Sequence, residues 1–248
     1  MLRIFALLTA LTGSSPTLAG PFDDLSAEDQ AALNAQIRAY ILDNPEIIAE
    51  ALDVLEARQR EAQQAADRLL VSSHLEALHD EETSFIGGNP EGDITIVEFL
   101  DYQCSFCKRA HPEVTELLSQ DGNIRLIQRE FPILGPMSEI ASRAAISVLL
   151  DQGPELYATF SDAMLRHQGQ LSQPVIDRLA EASGVDVSKM QALSRSNQVT
   201  QIIQANHQLA RQLQITGTPT FVFGDQMVRG YLPLAQMQAV VTEQRSEM

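Results

Sequence analysis

The chain has 248 residues and a formal net charge of −16 at pH 7, and 44% of its residues are hydrophobic. This length is enough for one well-packed domain with an additional segment. So acidic a chain is a poor match for nucleic acid or for an anionic membrane surface, and we expect exposed polypeptides as its partners.

The first 19 residues have the pattern of a secretory signal peptide. Arg3 is their single basic residue, an apolar stretch runs from Ile4 to Leu11, and Thr17-Leu18-Ala19 supplies a small-residue cleavage site. The apolar stretch is too short to span a bilayer, and no later run has the length that a membrane helix needs. We therefore expect export across the inner membrane and a soluble mature protein in the periplasm.

Residues 20–82 are predicted to form an N-terminal helical stalk. Asn44-Pro45-Glu46 is typical of a helix start, with Asn as the N-cap and Pro at the first helical position. Such a start separates a first helix from a second one that reaches about His79. The second helix carries a narrow heptad-like seam with spacings of three and four, made of Ile48, Leu52, Leu55, Gln59, Ala62, Ala66 and Leu69. Because so thin a stripe cannot form a core, we expect association with copies of itself, and packing on its own body is the alternative.

A compact domain is predicted from residue 83 to the end of the chain. A turn-forming cluster at residues 87–93 precedes a buried strand at Ile94–Leu100, which is rich in β-branched and aromatic residues. A helix is predicted over Lys108–Ser119 from the spacing of its apolar residues. Between this strand and this helix lie the only two cysteines of the chain, in the order Cys104-Ser105-Phe106-Cys107.

A C-x-x-C pair at the start of a helix predicts reversible dithiol–disulfide exchange. The unpaired N–H groups and the positive end of the helix dipole favour an anion, and the thiolate is the reactive form of cysteine. Zinc is disfavoured because there is no third cysteine, and His74 and His79, the pair with suitable spacing, lie far upstream. A purely structural disulfide would close a longer loop. Cu(I) binding by Cys104 and Cys107 remains an alternative.

The rest of the chain completes an α/β fold. A second strand is predicted at Ile124–Phe131, and only helical signals occur between about residues 138 and 213. Two strands at Thr220–Phe223 and Gln226–Val228 are joined as a hairpin, and a terminal helix begins at Pro233. The order β-α-β, helices, β-β-α predicts a thioredoxin fold with an inserted helical domain.

Two groups of residues resemble a known family. Phe99–Cys107, Pro112 and the later Gly217–Thr220 together resemble the DsbA-like thiol–disulfide oxidoreductases, and this likeness covers about residues 83–248. In addition, Ile37–Ile48 is similar to the N-terminal helical segment of the suppressor-of-copper-sensitivity C (ScsC) proteins, a periplasmic DsbA-like group. Some members of that group are trimers with disulfide isomerase activity.

The resemblance implies roles for the residues around the motif. It implies that Cys104 is the exposed nucleophile, that Cys107 is the resolving thiol and that Thr218-Pro219 is a cis-proline loop against both cysteines. Ser105 and Phe106 complete the active-site loop. Strongly oxidising members carry a histidine where this chain has Phe106, which can donate no hydrogen bond to a thiolate. We therefore expect a less oxidising disulfide than in the archetypal oxidase.

Glu98 interrupts the apolar strand six residues before Cys104. A carboxyl group buried there would have a raised pKa and would accept the proton that leaves Cys107. The alternative is a glutamate that reaches solvent at the end of the strand.

We therefore expect a periplasmic disulfide isomerase or reductase that acts on secreted proteins through Cys104 and Cys107. Neither an organic cofactor nor a metal is expected, because the redox-active disulfide carries the electrons. We also expect a membrane redox partner of unknown identity. We expect the chain to form a homo-oligomer, and the resemblance suggests a trimer. The alternatives are a monomeric oxidase that donates disulfides, a Cu(I)-binding protein of copper tolerance and a holdase-like binding protein.

Overall fold

The computed structural model describes residues 25–247, so the predicted signal peptide, residues 1–19, lies outside the described residues. The chain divides into two units, Met1–Gln59 and Arg60–Met248. Every helix among the described residues is too short or too polar to cross a membrane.

The described part of the first unit is helical and exposes its apolar side chains. It contains α1 (Ala27–Asp43) and the beginning of α2 (Glu46–Ser73). No residue of α1 is buried. The large apolar side chains of this unit that are exposed are Ile37, Tyr40, Leu42, Ile48, Leu52, Val54 and Leu55.

Asn44 caps the end of α1 rather than the start of α2, which is a difference from the sequence prediction. Its side-chain Nδ2 donates to the carbonyl of Tyr40 at 2.8 Å, and its backbone N–H donates to the same oxygen. The side chain therefore satisfies a carbonyl in the last turn of α1, where C=O groups have no helical partner. Helix α2 then begins at Glu46.

The second unit is built on a five-stranded sheet with the order β1-β3-β2-β4-β5. Its strands are β1 (Phe85–Gly88), β2 (Ile94–Leu100), β3 (Ile124–Glu130), β4 (Thr220–Phe223) and β5 (Gln226–Arg229). Strands β2 and β3 are parallel, and the other three pairs are antiparallel. Strand β1 was not predicted, because its Gly87 and Gly88 belong to a cluster typical of a turn.

Helices cover both faces of this sheet. After α2 they are α3 (Leu75–Leu78), α4 (Ser105–Asp121), α5 (Pro136–Gln152), α6 (Pro154–Arg166), α7 (Gln173–Ala182), α8 (Val187–Leu193), α9 (Asn197–Gln212) and α10 (Leu234–Ser246). Helices α5 to α9 lie between β3 and β4 in the chain and form the inserted helical region. The predicted thioredoxin fold with inserted helices, preceded by an N-terminal helix, is confirmed.

The central strand β2 separates two parts of the core. Val97 and Phe99 face one side and share a cluster with Val71 of α2 and Leu78 of α3. Ile96 faces the other side, in a cluster with α4 and α10. The sequence placed the start of the compact domain at residue 83, whereas in the structure residues from Arg60 onward belong to it. The periodicity of α2 gives no sign of this change, because its buried positions are sparse.

Candidate active site

The C-x-x-C motif lies where β2 ends and α4 begins. Cys104 is the N-cap residue of α4 and Ser105 is its first helical residue. The backbone N–H of Cys104 donates to the carbonyl of Asp101 at 3.0 Å, which closes the turn after the strand. Both cysteines are free thiols in the structure. The first sulfur is therefore placed at the helix N-terminus, where backbone N–H groups lack helical partners.

Asp101 fixes the geometry of this turn. Its carboxylate accepts hydrogen bonds from the backbone N–H groups of Gln103 at 2.8 Å, Ile133 at 2.8 Å and Leu134 at 3.0 Å. Asp101 is fully buried. It therefore ties the active-site turn to the loop that follows β3, and sequence reasoning gave no indication of this role.

The thiol of Cys104 has an unusually low pKa. A hydrogen bond from the Cys107 side chain is the largest cause that lowers the pKa of Cys104 to about 5. The backbone N–H groups of Cys107 and Phe106 act in the same direction, while burial opposes them. Cys104 was expected to be exposed, but it is buried in the structure, with 6% of its surface exposed, because the cis-proline loop lies against its sulfur. The neighbouring Phe106 is 54% exposed. The first cysteine is therefore a stable thiolate close to the surface at neutral pH.

The thiol of Cys107 has the opposite tendency. Burial is the main cause that raises its pKa far above the ordinary value, and the neighbouring Cys104 and Glu98 add to this effect. Cys107 is 1% exposed. The pair therefore consists of one reactive thiolate and one buried thiol, which is the arrangement that directed disulfide exchange requires.

Glu98 is in the interior of the protein, with 1% of its surface exposed. Burial raises the pKa of its carboxyl to about 7, and a hydrogen bond from Nε2 of Gln128 at 2.9 Å partly offsets this effect. The alternative of a solvated glutamate at the strand end does not hold, because Glu98 pairs with Phe221 and Gln128 inside the sheet. A buried acid that titrates near neutrality can accept the proton of Cys107.

A second buried acid, Glu130, ends strand β3 beside the active-site turn. The hydroxyls of Tyr102 and Tyr157 donate to its Oε1, each at 2.7 Å, and Ser142 donates to its Oε2 at 2.7 Å. Burial raises the pKa of this carboxyl to about 7. Because Tyr102 lies two residues before Cys104, its hydrogen bond to Glu130 holds the active-site turn in place. The sequence analysis missed it, and the only signal was a glutamate at the end of a buried strand.

The peptide bond Thr218–Pro219 is cis, the geometry that the resemblance implies. The carbonyl oxygen of Thr218 lies 3.1 Å from Sγ of Cys104. Strand β4 follows at once, and Thr220 is paired with Phe99 near the end of β2. We call residues 217–220 the cis-proline loop. The backbone of this loop therefore lies next to Sγ of Cys104, the reacting atom.

The two basic residues that follow the motif are engaged in contacts of their own. Lys108 Nζ donates to the carbonyls of His167 at 3.0 Å and Gly169 at 3.3 Å. The guanidinium of Arg109 lies over the ring of Tyr231, 4.4 Å from its centroid. Within residues 25–247, no three His, Cys, Asp or Glu side chains are grouped in a way that could hold a metal ion.

Two family models match the chain. The model described as Thioredoxin matches residues 80–243, which includes the sheet, the cysteines and the cis-proline loop. The model described as the Copper resistance protein ScsC N-terminal domain matches residues 29–62. Together they cover most of the described residues.

Similar solved structures cover the same regions. A thioredoxin-like oxidoreductase from Silicibacter pomeroyi DSS-3 is 36% identical, with 69% of this chain and 97% of that chain covered and a TM-score of 0.66. The thiol-disulfide exchange protein alpha-DsbA2 from Wolbachia pipientis is 30% identical, with coverages of 74% and 98% and a TM-score of 0.68. Proteus mirabilis ScsC in a transitional conformation is 26% identical, with coverages of 90% and 100% and a TM-score of 0.67.

Curated relatives include longer proteins. The Na(+)/H(+) antiporter NhaA 1 of Salinispora arenicola is 29% identical over 165 residues, which is 66% of this chain and 25% of that protein. The chain thus spans about a quarter of the length of this relative. The antiport named there is a property of that whole protein.

Alkylation of the native dithiol should distinguish the two cysteines. With a pKa of about 5, Cys104 is largely thiolate at about pH 6, whereas Cys107 remains protonated. We expect iodoacetamide to modify Cys104 at least about 100-fold faster than Cys107, as measured by mass spectrometry of the peptides. In denaturant the same chain should show similar rates at both positions, which serves as the control. Faster modification of native Cys107 would overturn the assignment.

Glu98→Gln should stabilise the protein at alkaline pH and slow exchange. The pKa of Glu98 is about 7 in the folded chain against 4.5 ordinarily, so the folded state holds an extra proton between these values. The free energy of unfolding therefore falls as pH rises through this window, and the variant should regain about 2–3 kcal/mol at about pH 8 but little at about pH 5.

The measurements are urea unfolding at both pH values and the rate at which Cys107 resolves a mixed disulfide. We expect that rate to fall about tenfold or more, because the proton acceptor is lost. Glu91→Gln, a change of an exposed glutamate in the loop before β2, is the control and should alter neither quantity. A Glu98→Gln protein that is equally stable at about pH 8 and resolves at the normal rate would rule out this role.

Proposed function

Because the chain belongs to the thioredoxin family, among the DsbA-like and ScsC-like thiol–disulfide oxidoreductases, we propose that it is a periplasmic protein disulfide isomerase or reductase. Its substrates are secreted proteins, and the Cys104–Cys107 pair carries the electrons without an organic cofactor. The observation that carries the proposal is the low pKa of Cys104, about 5, beside a buried Cys107 and the cis-proline loop.

The reductase half of the reaction uses both cysteines. The Cys104 thiolate attacks a substrate disulfide, an S–S bond forms between Cys104 and one substrate sulfur, and the other substrate sulfur leaves as a thiolate. Cys107 then gives its proton to Glu98 and attacks Sγ of Cys104. The substrate leaves with both sulfurs reduced, and the two electrons have come from the Cys104–Cys107 pair, which is now a disulfide.

Isomerisation needs only the first cysteine to change partners. After the mixed disulfide has formed, a different thiolate of the substrate attacks the substrate sulfur that is bound to Cys104. A new substrate disulfide forms, Cys104 leaves as a thiolate, and no net oxidation or reduction occurs. A leaving group with a low pKa, such as Cys104, favours this release.

Phe106 supports isomerase or reductase activity over oxidation. A phenylalanine directly before the second cysteine cannot donate a hydrogen bond to the thiolate, so the dithiol form gains less than in a strong oxidant. The exposed side chains of Phe106 and Leu134, at 54% and 53%, also provide apolar contact near Cys104 for unfolded polypeptide. Asp101 holds the Leu134 backbone beside the active-site turn.

The N-terminal unit supports self-association. Its described residues, 25–59, include seven exposed large apolar side chains, and the unit contains most of the match to the ScsC N-terminal domain. Helices with a narrow apolar stripe bury it by pairing with copies of themselves. Several catalytic units on one base would raise the concentration of thiolates around a bound substrate, which benefits repeated attack on wrong disulfides. A membrane protein that reduces Cys104–Cys107 would complete the cycle.

A variant that lacks residues 20–59 tests this proposal. We expect a folded monomer, because residues from Arg60 onward form a unit with its own core. It should exchange a small disulfide within about twofold of the parent rate but lose most refolding activity on scrambled ribonuclease, because the gain in local concentration is lost. Light scattering and a refolding assay on the same samples provide the measurement.

The matched control is the full-length Leu52→Glu protein, which keeps every residue but disrupts the seam. It should behave like the shortened variant in both assays. A full-length chain that is monomeric in solution, or a shortened variant with undiminished isomerase activity, would refute the role of the first unit.

A further inference from the structure

Three consecutive residues at the end of β5, Arg229, Gly230 and Tyr231, contact three different parts of the second unit. Arg229, the last residue of β5, extends its guanidinium to helix α2. The backbone N–H of Gly230 donates to the carbonyl of Pro219 in the cis-proline loop at 2.8 Å. The hydroxyl of Tyr231 donates to a carboxylate oxygen of Glu113 on the active-site helix α4. This short segment thus lies between α2, the cis-proline loop and α4.

Asp67 of α2 holds the first of these residues. Nη2 of Arg229 donates to its Oδ1 at 2.9 Å, and Nη1 donates to Oδ2, so the pair is bidentate. Nε2 of Gln63, one turn earlier in α2, also donates to Oδ1 at 2.9 Å. Asp67 is 4% exposed, although it is a carboxylate on a helix with few buried positions. Two planar groups joined by two hydrogen bonds fix direction as well as distance.

A shift of Arg229 reaches the cis-proline loop because the segment between them is short and makes a tight turn. Gly230 has φ of +94°, a left-handed conformation that favours glycine, and it follows Arg229 directly. Arg229 is also paired with Thr220, the residue after Pro219, across the β4–β5 ladder. The cis-proline loop is therefore attached to Arg229 on both sides, by the ladder and by the Gly230 hydrogen bond. A displacement of Arg229 moves the backbone that faces the sulfur of Cys104.

We propose that Asp67 is a positioning residue of the active site, which acts through Arg229 and Gly230 to hold the cis-proline loop against Cys104. The inference rests on the proposed function only in that Cys104 must be the reactive thiol. Thr218 contacts Sγ of Cys104 with its carbonyl at 3.1 Å. Because a carbonyl oxygen can only accept a hydrogen bond, this contact favours the protonated thiol over the thiolate. Loss of the Asp67 contact loosens this interaction, although Asp67 itself touches neither sulfur nor substrate.

A purely stabilising ion pair is the competing explanation, and the protein contains a suitable comparison. Arg245 makes a bidentate pair with Asp121 at the far end of α4, with Nη1–Oδ2 at 2.6 Å and Nη2–Oδ1 at 2.7 Å. Asp121 is also largely shielded, with 17% of its side chain exposed. This pair has no hydrogen bond to the cis-proline loop among the described residues. Asp121→Asn therefore removes a similar interaction without the proposed connection.

The experiment measures the alkylation rate of Cys104 against pH in full-length protein, for the parent, Asp67→Asn and Asp121→Asn. We expect the apparent pKa of Cys104 to fall by about half a unit in Asp67→Asn, because the carbonyl that accepts its proton moves away, so that the rate at about pH 4.5 rises about twofold. Asp121→Asn should leave this profile unchanged, even if it lowers the unfolding midpoint as much. Amide exchange of Gly230, followed by NMR, should accelerate in Asp67→Asn and not in the control.

Arg229→Gln and the double variant Asp67→Asn/Arg229→Gln establish the route. If Asp67 acts through Arg229, both single changes and the double change produce the same shift, because there is one connection to break. Arg229→Lys keeps the charge but only part of the bidentate geometry, so it should fold and give a smaller shift in the same direction. It replaces Asp67→Asn if that variant does not fold.

The outcomes separate this inference from the proposed function. If Cys104 of the parent protein is unreactive at mildly acidic pH, both the proposed function and the inference fail. If the parent is reactive and Asp67→Asn or Arg229→Lys shows the parental profile, the inference alone fails. Equal shifts in Asp67→Asn and Asp121→Asn would also refute it, because the effect would then follow from stability.

Discussion

The difference in pKa between two sulfurs that are three residues apart is the constraint on which this active site depends. It arises because α4 begins at Cys104, so the first sulfur meets backbone N–H groups and the Cys107 thiol, while the second is buried one turn later. The same helix start would be ineffective without a fixed turn before it. Asp101 and the Glu130 network provide that turn by hydrogen bonds to backbone groups and to Tyr102.

Two buried acids near the motif reduce the stability of the folded chain. Burial raises the pKa of both Glu98 and Glu130 from 4.5 to about 7. The free energy of unfolding therefore falls as the pH rises between these two values. An apolar residue at position 98 would pack into the strand at lower cost. In the proposed reaction, Glu98 accepts the proton that must leave Cys107 when it attacks, which an apolar residue cannot do.

The sequence predicted the elements whose structure is determined by residues close together in the chain. The strand Ile94–Leu100 agrees with β2 because unbroken β-branched and aromatic residues are typical of a buried strand. The cysteines and the cis-proline loop were located by motif and family likeness. Strand β1 was missed because its glycines are typical of turns, and it is defined only by pairing with β3. The Asp67–Arg229 contact joins residues 162 positions apart, so no sequence window contains it.

The reduction potential of the Cys104–Cys107 couple tests the central claim most directly. The protein is equilibrated with glutathione buffers, and the two redox forms are separated after acid quenching and trapping of the free thiols. A reversible two-electron couple is expected at a potential clearly below the value of about −120 mV for DsbA, because Phe106 cannot stabilise the thiolate as a histidine does. A chain that never equilibrates with glutathione, or a couple as oxidising as about −120 mV, would contradict the account.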